Sequence, residues 1–575
     1  LREVKAPEKK FDTNGLPEQA DFVLEIGTEE LPPHDVVSAV EQLQENAPKI
    51  LSEARLQYKR LWATGTARRQ VLIVEGLSSR QADKVREVKG PPVKAAFDPS
   101  GAPTKAAVGF AQKQGVSLQD LVTKKIGDIP YVFAVIREPG RCAVEVLAEI
   151  VPELVRSLSF TQTMRWDSDG VAYPRPIRSF LALWGTVVVP FVYAKAPSGR
   201  YARPLRHREP PIEVASAEEY LKTVEKAGIV IDRSQRKQLI REFVLEAARS
   251  IGGTVKEDPD LLEEVTDLVE APFALVGSFS EEYLSLPPEV LIAVMKKHQR
   301  YFPVHNEEGK LMPHFVVVTN GKPQDPGLVI RGNEDVIRAR YADAAYFIKE
   351  DLKRPLSKFV PELKKLTFQE KLGSMWHKTQ RLRKLVSLLA PKIGISKSEV
   401  PFARRAAFLA KADLATAMVV EMTSLQGIMG RYYALKGGEK PEVAQAIYEH
   451  YLPRFQGDEL PKSGPGLLLA IADRLDSLAS LFQIGLAPTG SADPYALRRQ
   501  GLGLLTILIE KEIDLSLMEG LRTALEVLGR EVDQEKLRET HEFLVRRLEV
   551  KLREEGFRHD VVAAVLAVQG DRPLR

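Results

Sequence analysis

The stretch DFVLEI, at residues 21–26, decides the fold class, because it predicts a short β-strand directly upstream of a long helix. The helix is predicted over 35–56, where apolar residues recur three and four positions apart. Three further β-rich runs and a second helical stretch follow; the runs lie at 71–76, 131–136 and 185–193, and the helical stretch at 143–158. Strands mixed with helices in this way predict an α+β domain over residues 21–208.

The rest of the sequence divides into a second α+β part and a helical part. A second α+β domain over 209–355 is predicted from helical patterns at 215–227, 235–251, 260–269 and 333–352 and a strand pattern at 315–319. From about residue 356, β-branched clusters become rare and Leu recurs with helical spacing, as at Leu537, Leu544, Leu548 and Leu552. The turn-rich segment GLAPTGSADP at 485–494 predicts a joint, so helical domains are expected over 356–485 and 486–575. The polar, aperiodic residues 1–20 predict a linker.

Composition restricts the class of protein. The chain has 575 residues, 44% of them hydrophobic and 28% charged, which is typical of a globular protein with several domains. The net charge is only +4, so any nucleic acid must bind to local patches rather than to an overall positive field. The longest apolar stretch, 180–194, is shorter than the ~20 residues of a membrane span and contains Pro190. The single cysteine, Cys142, excludes an internal disulfide and a cysteine-only zinc site.

Several common catalytic signatures are missing from the sequence. There is no Walker loop, no G-x-G-x-x-G, no G-x-S-x-G, no C-x-x-C and no H-E-x-x-H. One set of distant residues matches the order of metal ligands in HD-type hydrolases, namely His377, Ala412 with Asp413, His450 and Asp473. Ala412 stands where that family requires His, so we expect a degenerate, structural HD-like domain without a metal ion. An active metal-dependent phosphohydrolase is the alternative.

A basic and aromatic segment lies at 294–304 (VMKKHQRYFPV). It combines the cations Lys296, Lys297, His298 and Arg300 with the rings of Tyr301 and Phe302. Cations neutralise phosphates and aromatic faces stack on unpaired bases, so this mixture suits RNA better than a simple charge run does. The alternative is a solvated helix end that leads into a core strand, with both rings buried.

Other candidate RNA contacts are short concentrations of arginine. They are Arg165 with Trp166, Arg175 with Arg178, Arg203 and Arg206 with His207 and Arg208, Arg338 with Arg340, and Arg498 with Arg499. Each of them also suits a surface ion pair, and Arg498 and Arg499 suit pairs at a domain joint. Near-zero net charge means that acidic surfaces elsewhere balance these cations.

Read in order, eleven segments of the chain resemble one family. They are VLEIGTEELPP (23–33), TARR (66–69), GPP (90–92), MRW (164–166), RPIR (175–178), KHQRYF (297–302), GNEDVIRARYADA (332–344), KLG (371–373), GIMG (427–430), IADRLDSL (471–478) and DPYALRR (493–499). The family is the β subunit of the two-subunit, bacterial and organellar type of glycyl-tRNA synthetase. The resemblance extends over about residues 21–560.

This resemblance implies a subunit of glycine–tRNA ligase. In that family the α subunit carries the class II core that activates glycine with ATP and Mg, while the β subunit holds tRNA(Gly) and is required for charging. The chain itself is then expected to bind no cofactor and to have no complete catalytic site. Residues 486–575 resemble the start of the anticodon-binding domain, and the chain ends at Arg575, before the usual C-terminus of the family.

The opening of the chain resembles the plastid type of the enzyme, in which α and β are fused. The sequence LPPHDVVSAV at 31–40 carries this resemblance, and residues 1–20 would then link the α half to the β half. The expected assembly is a dimer of a fused chain or an α2β2 tetramer without membrane contact. The expected location is the chloroplast stroma and possibly the mitochondrion, with a free β subunit in the bacterial cytoplasm as the alternative. An RNA-binding scaffold without a ligase partner is the remaining functional alternative.

Overall fold

The computed structural model describes residues 17–98, 100–127, 129–166, 168–206, 210–490 and 492–574. The chain forms two compact units. The first consists of the described residues of Leu1–Ser278 and Arg300–Gly332, and the second of Phe279–Gln299 with the described residues of Asn333–Arg575. The linker predicted at 1–20 lies mostly outside the described residues, His207 and Arg208 lie outside them as well, and the first strand begins at Gln19.

The N-terminal part of the first unit alternates strands and helices as predicted. Its elements are β1 (Gln19–Thr28), α1 (Pro33–Glu53), β2 (Arg60–Thr66), β3 (Arg69–Ser78), β4 (Lys84–Pro92), α2 (Val93–Ala96), α3 (Lys105–Gln114), β5 (Leu121–Ile126), β6 (Ile129–Glu138), α4 (Ala143–Ser157), β7 (Met164–Arg165), β8 (Ala172–Tyr173), β9 (Ile177–Trp184), β10 (Val187–Val188), β11 (Val192–Tyr193), β12 (Ala196–Gly199), β13 (Tyr201–Ala202) and β14 (Ile212–Glu213).

The strand that contains DFVLEI lies inside the main sheet. The strand order is β11-β12-β9-β1-β3-β2, β10 pairs with β9, and β1 runs antiparallel to both of its neighbours. Phe22, Leu24 and Ile26 belong to the core that α1 and α4 complete. Val23 belongs to the core on the opposite face, together with Tyr220. Because both faces are covered, every position from Phe22 to Ile26 except Glu25 is apolar.

The β-rich run predicted at 185–193 is wrong in its position. The long strand is β9, which ends at Trp184, and only the short β10 and β11 lie within the predicted range. Gly185 has a φ of +54°, so the chain turns there. Pro190 has no N–H to donate to a neighbouring strand, which breaks the run a second time.

Residues 84–138 form a small sheet of their own within the first unit. The strand order is β4-β6-β5, with β6 in the middle and all pairs antiparallel. Ala96, Ala107 and Val132 form the small core between α2, α3 and one face of this sheet.

A third sheet belongs to the predicted second α+β part. The elements that follow β14 are α5 (Tyr220–Lys226), α6 (Arg233–Arg249), β15 (Thr254–Val255), α7 (Pro259–Thr266), β16 (Pro272–Ser278), α8 (Pro288–Val294), β17 (Phe302–His305) and β18 (Leu311–Asn320). The sheet order is β15-β17-β18-β16, and α6 and α7 pack on it through Ile240, Val244 and Leu261. The strand expected at 315–319 is the central part of β18.

Helices dominate the second unit, as the sequence predicts from about residue 356. Besides α8, they are α9 (Pro326–Asp351), α10 (Met375–Leu389), α11 (Val400–Leu409), α12 (Ala417–Glu421), α13 (Ile428–Lys436), α14 (Pro441–Glu449), α15 (Gly464–Gln483), α16 (Leu497–Glu510), α17 (Leu517–Leu528), α18 (Gln534–Glu554) and α19 (His559–Gln569), with the short strands β19 (Thr367–Gln369) and β20 (Gly373–Ser374) before α10. The first residues of α9 belong to the first unit.

Helix α15 is the centre of the second unit. It is buried along almost its whole length and packs against α10, α11, α14, α16, α17 and α18. The joint predicted at 485–494 is the connection between α15 and α16, where Gly485 and Gly490 have positive φ. Within the described residues, none of the helices has the combination of length and apolar character that crossing a bilayer requires.

Candidate functional site

Three arginines surround the acidic pair that follows β1, and we call them the arginine rim: Arg178, Arg203 and Arg206. Arg178 donates from Nε to Glu29 at 2.7 Å, and Arg206 donates to Glu30 at 3.1 Å. Arg203 lies 3.9 Å from Glu29. Burial alone would raise the pKa of Glu29, but the hydrogen bond from Arg178 and the charges of the arginines lower it below its usual value. The rim therefore holds three guanidinium groups against two carboxylates.

Beneath the rim, Arg69 is fully buried in an ion pair. Its Nε and Nη2 each lie 3.0 Å from a carboxylate oxygen of Glu270, and its Nη1 lies 3.6 Å from Glu25. Thr66 donates its hydroxyl proton to Glu270, and Tyr220 donates to Glu25. Burial lowers the pKa of Arg69, but the charges of Glu270 and Glu25 raise it above its usual value. Arg69 therefore connects β3 to the segment after α7 and is not accessible to an RNA.

The predicted residues Arg165, Trp166 and Arg175 lie on or beside the β7–β8 hairpin. Arg165 is exposed and pairs in register with Ala172. Arg175 is also exposed, and its Nη1 donates to the carbonyl of Pro174 at 2.8 Å. Trp166 is half-buried and packs against the core of the main sheet. Both arginines are therefore placed to meet a ligand from solvent, while the tryptophan is largely a packing residue.

The predicted basic and aromatic segment is divided by the boundary between the units. Lys296, Lys297 and His298 lie in a π-helical turn after α8, and Lys297 is exposed. Arg300 begins the next part of the first unit and donates from Nε to Glu264 at 2.9 Å.

The two rings of this segment are buried. Tyr301 is 2% exposed and stacks on Phe315, with ring centroids 4.5 Å apart. Phe302 belongs to the core under α6. The hypothesis that these rings stack on RNA bases is therefore wrong, because they fill the apolar interior, and only the cations of the segment remain as candidates.

Two predicted residues that are distant in sequence line one small pocket of the second unit. His298 and Arg340 meet there beside Asp343 and Glu421. Arg338, also on α9, points elsewhere and pairs with Asp335 at 2.9 Å, with both side chains about two-thirds exposed. Such an exposed pair contributes little to stability, so the guanidinium can exchange its partner for a phosphate.

The arginines at the start of α16 have different surroundings. Arg498 donates from Nη2 to the carbonyl of Gly490 at 2.6 Å, and its backbone N–H donates to Asp493 at 2.9 Å. Arg498 therefore stabilises the α15–α16 connection, as the alternative interpretation expects. Arg499 is exposed and lines a pocket with Phe455 and Lys551.

The predicted HD-type positions contain a buried cluster of charges instead of an open metal site. We call Lys378, Lys411, His450, Asp473 and Asp476 the charge cluster. Lys411 Nζ lies 2.8 Å from His450 Nε2 and 2.8 Å from Asp473 Oδ2. Lys378 Nζ lies 2.9 Å from Asp473 Oδ1 and 3.0 Å from Asp476 Oδ2. Two ammonium groups thus contact the acceptors that a metal ion would use.

Protonation in the charge cluster follows from burial and from neighbouring charges. Burial, with the charge of Lys411, lowers the pKa of His450 well below its usual value. Because His450 Nδ1 lies 2.6 Å from the carbonyl of Ile447, it carries the ring proton, and Nε2 accepts from Lys411. Burial opposes ionisation of Asp473, but Lys378 and Lys411 hold its pKa well below the usual value. An ionised carboxylate and a neutral imidazole therefore share the lysine ammonium.

The other predicted HD-type residues do not join the charge cluster. His377 is exposed at the start of α10, and its Nδ1 accepts from the backbone N–H of Ser374 at 3.1 Å. Ala412 is buried, and Asp413 accepts from the backbone N–H of Gly427 at 2.6 Å. Burial raises the pKa of Asp413 to about 6. Across the part of the chain that the structure describes, no three His, Cys, Asp or Glu side chains are grouped to hold a metal ion.

Sequence reasoning missed both lysines of the charge cluster. Each is adjacent to a predicted position, since Lys378 follows His377 and Lys411 precedes Ala412. A lysine beside each of these positions, together with Ala412 in place of a histidine ligand, was the sequence signal that an ammonium group takes the place of a metal ion.

The comparisons with known proteins agree with the eleven colinear segments. The model of the family described as glycyl-tRNA synthetase beta subunit matches residues 22–567. The chain belongs to the glycyl-tRNA synthetase β-subunit family. A glycine–tRNA ligase β subunit of Desulforamulus reducens is 46% identical over 96% of this chain and 80% of its own length, and one of Moorella thermoacetica has the same identity and coverage. A chloroplastic/mitochondrial glycine–tRNA ligase of Arabidopsis thaliana is 43% identical over 96% of this chain and 52% of its own length. The chain is thus part of a ligase of the aminoacyl-tRNA synthetase class.

Proposed function

We propose that this chain holds tRNA(Gly) for glycine–tRNA ligase, with the aminoacylation site on an α partner. The observation that carries the proposal is the exposed group of Arg165, Arg175 and Arg178 around one hairpin and the strand that follows it. The other cations of the arginine rim adjoin Arg178 through the shared acidic pair. Phosphates are the ligands that such a group of exposed guanidinium groups favours.

The ion pairs of the rim do not prevent RNA binding. Arg178 and Arg206 are 53% and 62% exposed, and exposed pairs of this kind contribute at most about 1 kcal/mol. A polyanion that releases counterions on binding offers a larger gain. Further contacts are proposed at Lys296, Lys297, His298, Arg338, Arg340 and Arg499, with Trp166, Arg300 and Arg498 in supporting positions.

The proposed division of labour with the α partner rests on the resemblance to the family. ATP and Mg are proposed to bind to the α subunit or α half. The assembly is proposed as α2β2 or as a dimer of a fused chain. The proposed location is the chloroplast stroma or the mitochondrion, which the 43% identity to a chloroplastic/mitochondrial relative supports; the alternative, the bacterial cytoplasm, has the support of 46% identity to bacterial relatives.

The charge cluster supports a structural role for the helical part of the chain. Residues 356–485 are proposed as a degenerate HD-like domain in which Lys411 occupies the position of a metal ion. Residues 486–575 are proposed as the start of an anticodon-binding domain, after α+β domains at 21–208 and 209–355. His450 and Asp473 already pair with Lys411, so they give no support to hydrolysis through a metal-activated water.

Binding of labelled tRNA(Gly) as a function of salt tests the proposal. The variant Arg165→Ala/Arg175→Ala/Arg178→Ala should bind more weakly, and its slope of log affinity against log salt should be about 2 to 3 smaller, since each phosphate contact contributes about 0.9. Arg60→Ala is the matched control, because Arg60 is an exposed arginine of the same unit. Unchanged affinity and slope in the triple variant would remove these arginines from the interface.

A further inference from the structure

The small sheet of residues 84–138 leaves one of its faces uncovered. Val132 and Ala134 of β6 are buried, and Val132 lies in the core with α2 and α3. Tyr131 and Phe133 alternate with them and therefore lie on the opposite face. Register pairs Phe133 with Lys89 of β4 and Val122 of β5, and pairs Tyr131 with Lys124 of β5. We call the surface of Lys89, Val122, Lys124, Tyr131 and Phe133 the open face.

The margin of the open face is apolar and exposed. Val85, Ile126 and Ile129 are 59%, 48% and 52% exposed and lie on the same side of the sheet by register. Apolar side chains grouped on one exposed sheet face indicate a binding surface more often than they indicate solvent contact alone.

Charge decides which partner suits this surface. Residues 84–138 contain nine Lys and Arg and five Asp and Glu, a net charge of +4 that equals the net charge of the whole chain. These cations lie on both faces of the sheet and on α2 and α3; on the open face Lys89 and Lys124 outnumber Glu87, so a second copy of the chain would bring charge of the same sign, which disfavours self-association. A polyanion is the complementary partner.

The positions of the cations relative to the rings narrow the class of polyanion. Lys89 Nζ lies 3.7 Å from the centroid of the Tyr131 ring. Lys124 reaches across the central strand to Glu87 of β4, at 2.6 Å. Two aromatic rings on a central strand with lysines beside them form a surface on which unpaired bases stack while phosphates meet ammonium groups. Bases inside a duplex do not present their faces, so double-stranded RNA does not fit this geometry.

We propose that the open face binds unpaired nucleotides of the tRNA, with Tyr131 and Phe133 stacking on bases and Lys89 and Lys124 contacting phosphates. This inference rests on the proposed tRNA-holding function and adds a surface that the arginine rim does not include. Lys89 moves from the ring to a phosphate on binding, because its exposed cation–π contact is weaker than base stacking.

Fluorescence anisotropy with the full chain tests this surface. The probes are labelled tRNA(Gly), a labelled twelve-nucleotide single-stranded RNA without self-complementarity, and a duplex of the same length. Tyr131→Leu/Phe133→Leu keeps apolar side chains on the strand and removes the rings. We expect it to bind the single strand and the tRNA at least tenfold more weakly, with the duplex unaffected. Phe557→Leu, an exposed phenylalanine in the second unit, should change nothing.

Two adjacent lysines give a matched pair of variants. Lys124 lies on the open face, whereas Lys125 is exposed and lies on the other side of the sheet by register. Lys124→Ala should weaken single-strand binding and reduce its salt slope by about 0.7, while Lys125→Ala should leave both unchanged. Circular dichroism of each variant confirms that the sheet is intact.

The outcomes separate this inference from the proposed function. If the wild-type chain binds tRNA and the ring variant binds it equally well, the proposal that the open face binds RNA is overturned, and the tRNA-holding function stands. If the ring variant loses association with the α subunit instead of RNA, the face is a protein-docking surface and the inference is overturned. If the wild-type chain binds neither tRNA nor the single strand, both proposals fail.

Discussion

Replacing Lys411 with Met tests whether an ammonium group stabilises the helical unit in place of a metal ion. The change removes the positive charge between His450 and Asp473 and keeps a side chain of similar length. His450 is fully buried and the side chain of Asp473 is only 15% exposed, so water does not replace all of the lost contacts without a rearrangement. Asp473 keeps its second partner, Lys378, at 2.9 Å.

The expected loss of stability depends on which groups of the charge cluster stay paired in the variant. Removing one partner of a buried ion pair costs about 3–5 kcal/mol. Because Lys378 continues to neutralise Asp473, and because burial already lowers the pKa of Lys411 below its usual value, we expect a value at the lower end, about 3 kcal/mol. A unit of this size shifts its unfolding midpoint by about 2–4 °C per kcal/mol, so the transition of the second unit should fall by about 6–12 °C.

Differential scanning calorimetry of the full chain measures this shift. Lys462→Met is the matched control, because Lys462 is 73% exposed in the same unit and pairs with Glu459 at 3.4 Å. The control should change the free energy of unfolding by less than about 0.5 kcal/mol. An unchanged or higher midpoint for Lys411→Met would refute the role given to the ammonium group.

Three other outcomes follow from the buried charges. Arg69→Met leaves the carboxylates of Glu270 and Glu25 buried without their shared cation, so chemical denaturation should show the first unit destabilised by about 3–5 kcal/mol. Millimolar Mn²⁺ should leave the wild-type melting curve unchanged, because Lys411 already contacts the acceptors; a concentration-dependent rise would contradict this. The carboxyl of Asp413 has a pKa of about 6 in the folded chain, above its usual value, so the stability it contributes is present at low pH and is lost as pH rises from about 4 to 6. Asp413→Asn should therefore abolish a decline of about 3 kcal/mol between pH 4 and 7, measured by urea titration at each pH, and an identical pH profile in the variant would disprove the assignment.

Apolar patterning was sufficient to predict several of the longer elements. The strand at 21–26 and the helix at 143–158 have strong local patterns, and the structure confirms both. The run at 185–193 was misplaced because its β-branched residues favour a strand by their β-propensity. Gly185 turns the chain and Pro190 lacks an N–H, and β-propensity does not take account of either interruption.

The candidate site depended more on tertiary context. That Tyr301 and Phe302 are buried could not be decided from the sequence, because a ring that stacks on a base and a ring that packs in a core have the same local pattern. The contact of Lys411 with His450 and Asp473 joins residues 39 and 62 positions apart, and no local periodicity reports it. The colinear motifs, by contrast, identified the family correctly, since their order is a property of the sequence itself.

Glycine charging of tRNA(Gly) by a matched α subunit, measured with and without this chain, tests whether the chain holds tRNA for the ligase. We expect charging to appear only when the chain is added, and we expect Arg165→Ala/Arg175→Ala/Arg178→Ala to reduce it while Arg60→Ala does not. Equal charging with and without the chain would contradict the assignment of tRNA holding to it.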